Sequence, residues 1–266
     1  MTMLSRRKFV RYATACMCCG AISDESLAST PLSQGCFLTK EGYENYRSQR
    51  QPVFAVTENL LGSRSSPSTG NFEVDLQLNR AIKTAADILG VNPTFTFFDP
   101  DRLRGENELK GMNAFAWPVG ILPGTVGLVG FGIMRFRSEL YAYDDTGTTV
   151  MCIIAHEFGH CIQFERNYWS DVKGLRCEIN ADFLAGYYLG RRKLSVPKLE
   201  FSRATELFER LGRPGNGDPN RDHGNSQERV QAARAGFEAG FDKRMTLNEA
   251  INAGWDYIGY RPRQGK

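Results

Sequence analysis

The sequence predicts an α+β fold in which strands come early and the main helices follow. Two observations carry this. The aromatic run Thr94–Phe98 and an uncharged, glycine-broken stretch over residues 112–134 read as sheet, whereas helical periodicity governs most of the chain beyond residue 148. The composition permits a full core: 266 residues, 41% hydrophobic and 24% charged, which excludes a disordered or collagen-like chain. Net charge is +3, too even a balance to argue for a nucleic-acid partner.

Taken in order, residues 1–28 read as a targeting signal. Arg6, Arg7, Lys8 and Arg11 form a basic start, a short apolar stretch follows over residues 12–22, and Ser26-Leu27-Ala28 supplies small residues for cleavage. Ser5-Arg6-Arg7-Lys8-Phe9 resembles the twin-arginine export signal, departing from it only at Val10 and Arg11. An extracytoplasmic, periplasmic location is therefore expected. Cys16 stands in too poor a context to favour a lipid anchor. Residues 29–73 show no sustained periodicity, and the segment 62–70 has loop composition.

The remaining residues, 74–266, form one domain. Val74, Leu78, Ala81, Ile82, Ala85 and Leu89 recur at helical spacing, with Gly90 as a stop. Thr94–Phe98 is a strand closed by the turn Asp99-Pro100-Asp101. The uncharged stretch 112–134 is long enough to span a bilayer, but Pro118, Pro123 and five glycines would leave freed backbone groups in lipid. It reads as buried strands and turns, and no transmembrane segment is expected. Helices follow at 148–164, 175–189, 199–211, 227–239 and 247–253. The last two open on capping boxes, Asn225 with Glu228 and Thr246 with Glu249.

The chemistry lies in His156-Glu157-Phe158-Gly159-His160. On a helix, His156 and His160 stand one turn apart on one face, so both imidazoles reach a single ion. Glu157 falls at the edge of that face, placed to take a proton from water as a general base. One zinc ion per chain is expected. A catalytic zinc needs a third protein ligand, and the position six residues after His160 is Arg166, not histidine. Glu178, on the following helix, is the expected ligand, and Asp182 one turn further on is placed to receive the outer ring N–H of a ligand histidine. Cys36, Cys152, Cys161 and Cys177 remain after the signal; one or two disulfides are the preferred expectation, with thiol ligation of the metal the alternative.

These residues resemble the gluzincin zinc metallopeptidases, in which His-Glu-x-x-His is followed by Glu-x-x-x-Asp. The strings 155–163 and 178–186, together with Asp222-His223-Gly224-Asn225-Ser226-Gln227-Glu228-Arg229, are similar to the bacterial neutral zinc metallopeptidases. Asn113-Ala114-Phe115-Ala116 is similar to a segment of the soluble periplasmic relatives of the CAAX prenyl protease. The resemblance implies a zincin-like fold with the zinc helix under an edge strand. It implies that Asn113, Ala114, Phe115 and Ala116 bind an extended peptide or unfolded protein by strand addition. It also makes His223 a candidate donor that stabilises the carbonyl oxygen, the alternative being a loop histidine that caps or packs near the helix at Gln227, with Tyr168 a weaker candidate donor. Arg229 either orients Glu157 or Asp182 or lies on the surface. The expected function is an exported zinc metalloendopeptidase. The alternatives are an envelope binding or assembly factor whose structural zinc takes Cys152 or Cys177, and a hydrolase of non-peptide amides. Oligomeric state is left open.

Overall fold

The computed structural model describes residues 69–98, 114–118, 124–168, 174–212 and 223–260. The export signal, Cys36, Asn113, the turn at 99–101 and most of the loop 212–225 lie outside the described residues. The architecture is α+β, mostly helical with a three-stranded sheet. In order the elements are α1 (Phe72–Leu89), β1 (Thr94–Phe98), β2 (Ala114–Trp117), β3 (Leu128–Gly132), α2 (Ile133–Ser138), a π-helical turn (Glu139–Tyr143), α3 (Thr148–Glu165), α4 (Leu175–Ser195), α5 (Phe201–Leu211), α6 (Ser226–Phe241) and α7 (Leu247–Tyr257). No helix among the described residues is long and apolar enough to cross a membrane.

Helix α1 begins where the Asn71 side chain accepts from the backbone N–H groups of Glu73 and Val74, and ends at Gly90 with φ 62°, the left-handed conformation glycine adopts without strain. The strands order β1-β3-β2, with β1 parallel and β2 antiparallel to β3. The short side chains of Ala114 and Ala116 are buried, as is Phe131 opposite Ala114. Phe97 stacks on Phe131 at 6.4 Å, and Phe136 of α2 meets both edge-on. Phe115 points to the other face of the sheet, where a side chain on Gly130 would collide with its ring. Among the described strands β2 stands at one end of the order.

Helix α3 packs against β2, β3, α1, α4 and α5. Every residue from Thr148 to Phe164 except Met151 is buried, the pattern of a helix enclosed on all sides rather than an amphipathic one. Its first turn is capped from outside the helix: the Asp144 carboxylate accepts from Thr149 N–H at 2.9 Å and from Thr146 N–H at 3.0 Å. Helices α4 and α6 approach more closely than side chains would allow. A Cβ on Gly236 would lie 2.8 Å from the Phe183 carbonyl carbon, and one on Gly186 would lie 2.7 Å from that of Ala233. Gly159 brings α3 against α4 in the same way, with Ala181 Cα 3.1 Å from its would-be Cβ.

One expectation needs correcting and a second is narrowed. Residues 133–143 form α2 and the π-helical turn, where the uncharged stretch had been read as strands and turns up to Met134. A buried charge cluster holds this segment: Glu139 accepts from Arg135 at 2.9 Å and from Arg210 of α5 at 2.7 Å. Arg210 also lies over the Tyr143 ring, 4.0 Å from its centroid. The second concerns sulfur. Cys152, Cys161 and Cys177 are buried and no bridge joins them, while Cys36 lies outside the described residues.

Candidate metal centre

The site is built where α3 and α4 face one another. Histidines four apart on α3 turn their rings to the same side; the two rings stand perpendicular with centroids 4.7 Å apart. Their Nε2 atoms are 3.1 Å apart. Glu178, in the first turn of α4, brings one carboxylate oxygen to 3.4 Å from His156 Nε2 and the other to 3.6 Å from His160 Nε2. One donor atom from each of these three residues lies within 4.8 Å of the others, and all three are buried.

The neighbours decide which ring nitrogens carry protons. Asp182 accepts two bonds from Arg229, Nε to Oδ2 at 2.7 Å and Nη2 to Oδ1 at 2.8 Å. A carboxylate so held accepts from His156 Nδ1, 2.8 Å away, so that nitrogen is the N–H and Nε2 carries the lone pair. On His160 the partner is neutral. The Gln163 amide nitrogen donates to the Cys177 carbonyl at 2.9 Å and to Asn180 Oδ1 at 3.0 Å, which turns Gln163 Oε1 toward His160 Nδ1 at 3.0 Å. His160 Nδ1 is therefore also the N–H, and its Nε2 is also a lone pair. Two imidazole lone pairs and a carboxylate converging in a buried space repel one another unless a cation lies between them. The donor set, two nitrogens and one carboxylate, fits a divalent metal ion. Neither sulfur nor a further carboxylate joins this group among the described residues.

The electrostatics follow from burial. Glu157 is 2% exposed, and burial pushes its carboxyl up to about 8; Glu178 adds to the rise, while His156, Arg229 and His223 oppose it. Burial also raises the Glu178 carboxyl, but His223, His160 and His156 outweigh it and hold it well below the usual carboxylate range. Burial lowers His160 to about 4, against Glu178, which draws it upward. The shifts of His160 and Glu178 favour a neutral imidazole beside an ionised carboxylate, the protonation states metal ligands need.

The expected site residues divide clearly. His156, His160, Glu178 and Asp182 come together, with Glu157 on the same helix turn. His223 stands at the rim, its Nδ1 3.2 Å from Glu178 Oε2. Arg229 is not on the surface; it is 4% exposed and clamps Asp182. Tyr168 instead sets its ring edge-on to Trp255 of α7, with centroids 5.0 Å apart. Ala114, Phe115 and Ala116 lie in β2, which packs on α3. Gln163 and Asn180 were not singled out. The available signal was a polar residue three positions after His160 in an otherwise apolar run. Compared with protein-family models, curated proteins and solved structures, the chain matches none of them.

Proposed function

We propose that the protein is a zinc metalloendopeptidase in which His156, His160 and Glu178 hold one zinc ion and Glu157 acts as general base. The observation that carries this is the convergence of two histidine lone pairs and one carboxylate beside a second buried carboxylate. Glu157 Oε2 has no hydrogen-bond partner among the described residues. A structural site needs no such group, whereas a hydrolytic one requires a base held out of other bonds. When bound, zinc supplies a Lewis acid for the scissile carbonyl and lowers the pKa of water toward neutrality.

The chain's own residues do the rest. Glu157 takes a proton from the attacking water and returns it to the leaving amide nitrogen. Beside a dication held by His156, His160 and Glu178, the Glu157 carboxyl would fall from the raised value burial imposes and would be ionised as the base. His223 donates to the carbonyl oxygen as negative charge builds there. Asp182 and Arg229 keep His156 in its ligating tautomer. The segment 113–116, by its resemblance, is assigned the binding of an extended peptide or unfolded segment, which favours peptides over other amides. A metal helix packed on β2 is the zincin-like reading. The twin-arginine-type start would deliver the folded enzyme to an extracytoplasmic location.

The test compares the parent with Glu157→Gln for bound zinc and for cleavage of an unfolded protein. One zinc in each and cleavage by the parent alone is expected. Absence of zinc from the parent would refute the proposal. Sulfur coordination at the zinc edge would return the site to the structural role.

A further inference from the structure

We propose that Gln163 and Asn180 are positioning residues that fix the ligating tautomer of His160, a neutral counterpart to the charged clamp on His156. The inference rests on the metal reading of the site. His160 and His156 are four residues apart and share one ligand carboxylate, yet their outer nitrogens meet different chemistry. Behind His156 stands an ion pair, Asp182 with Arg229. Behind His160 stands an uncharged chain: His160 Nδ1–H to Gln163 Oε1, then Gln163 Nε2–H to Asn180 Oδ1 and the Cys177 carbonyl. His160, Gln163 and Asn180 are all 0% exposed, so no water competes for these bonds.

The direction of the chain matters as much as its existence. A glutamine side chain presents an acceptor on one side and a donor on the other. If Gln163 turned over, its NH2 would face His160 Nδ1, the ring proton would move to Nε2, and that nitrogen could no longer hold a metal. Two acceptors on α4 prevent this. Cys177 offers a backbone carbonyl, which cannot reverse its role, and Asn180 offers its side-chain oxygen. Both flank Glu178 in sequence. The segment that supplies the carboxylate ligand thus also orients the histidine ligand of the facing helix, so the two helices must dock before His160 is set. Outer partners of this kind typically change metal affinity by about 10- to 100-fold when removed.

The experiment uses the full chain and zinc itself. Zinc affinity is measured by chelator competition for the parent, Gln163→Leu and Gln163→Glu. Leucine keeps the volume and removes the acceptor; glutamate keeps an oxygen for Nδ1–H whether or not it is ionised. A loss of about 10- to 100-fold in Gln163→Leu, largely restored in Gln163→Glu, is expected. Equal affinity of Gln163→Leu and the parent would overturn the inference and leave the metal site standing. Because Gln163→Leu risks misfolding, a second measurement needs no variant: nitrogen NMR of the metal-free parent reports which ring nitrogen of His160 is protonated. A proton on Nδ1 is expected, and an Nδ1 that carries no proton would overturn the inference. That readout holds even if the parent binds no zinc, the result that would sink the proposed function instead. Asn180→Ala should shift the His160 population toward Nε2–H, and an unmoved population counts against the role given to Asn180.

Discussion

Replacing Gly236 by alanine pits two effects of opposite sign against each other. In an isolated helix the change stabilises, because alanine is about 1 kcal/mol better than glycine in a helix interior. Here the added methyl meets backbone. Its Cβ would lie 2.8 Å from the Phe183 carbonyl carbon and 2.9 Å from Tyr187 N, with the Phe183 oxygen nearer still, where ordinary contact begins at 3.4 Å. Backbone cannot swing aside as a side chain does, so α6 must withdraw from α4 by on the order of 1 Å, an overpacking cost of about 1–3 kcal/mol. The same withdrawal strains the Arg229–Asp182 pair, whose bonds of 2.7 and 2.8 Å cross this interface. Losing such a buried pair outright costs about 3–5 kcal/mol. With the pair partly strained, the net expectation is a loss of about 2–4 kcal/mol. At about 2–4 °C per kcal/mol for a domain of this size, the midpoint should fall by about 4–16 °C. Thermal unfolding followed by circular dichroism, at one fixed zinc concentration, reads it directly. A midpoint equal to or above the parent's would mean that helix propensity wins and that the close approach is not a constraint.

Further outcomes follow from the same contacts. Arg229→Met should destabilise by about 3–5 kcal/mol in urea unfolding, because the Asp182 carboxylate stays buried with its cation gone. Adding Asp182→Asn should recover part of that loss, and a strictly additive double variant would count against the pairing. Stripping metal with a chelator should lower the melting midpoint, and readdition should restore it in a concentration-dependent way, with about 2.7 kcal/mol gained at a hundred times the dissociation constant. For pH, the Thr246 N–H and hydroxyl bind the Glu249 carboxylate and lower its pKa in the folded chain. A depressed folded value means this cap contributes above the unfolded pKa and is lost as pH falls through the folded one. Glu249→Gln should therefore flatten the acid limb of the stability profile, and an unchanged limb would show that the cap does not titrate.

Local rules made much of this molecule legible in advance. The capping boxes at Asn225 and Thr246 and the stop at Gly90 are short-range chemistry, and they start and end helices where the residues say they should. The metal ligands were legible because imidazoles four apart and a glutamate one helix later leave little else to be. What escaped is what burial hides. Arg135, Glu139, Gln163 and Arg229 look like solvated faces to a periodicity count, yet each is buried. They are tolerated there because partners distant in sequence, or on the next turn, satisfy them, and no local pattern announces a partner 47 residues away. The segment 133–143 failed for a related reason, since its helix is held by Arg210 from α5 as much as by its own residues. An even number of cysteines suggests pairing, whereas the three described ones are buried with no bridge among them.

Those thiols also set how the centre ages. Cys152 lies one turn before His156, Cys161 directly follows His160, and Cys177 directly precedes Glu178, so each ligand has a sulfur for a neighbour. Burial pushes all three thiols far above their ordinary pKa, with nearby carboxylates adding to the rise. Peroxide and alkylating reagents attack thiolates, so in the closed fold there is almost nothing for them to attack. Damage near the ligands must then wait for α3 and α4 to part. Its rate scales with how often the core opens, and equals the opening rate only where the reagent outpaces reclosing.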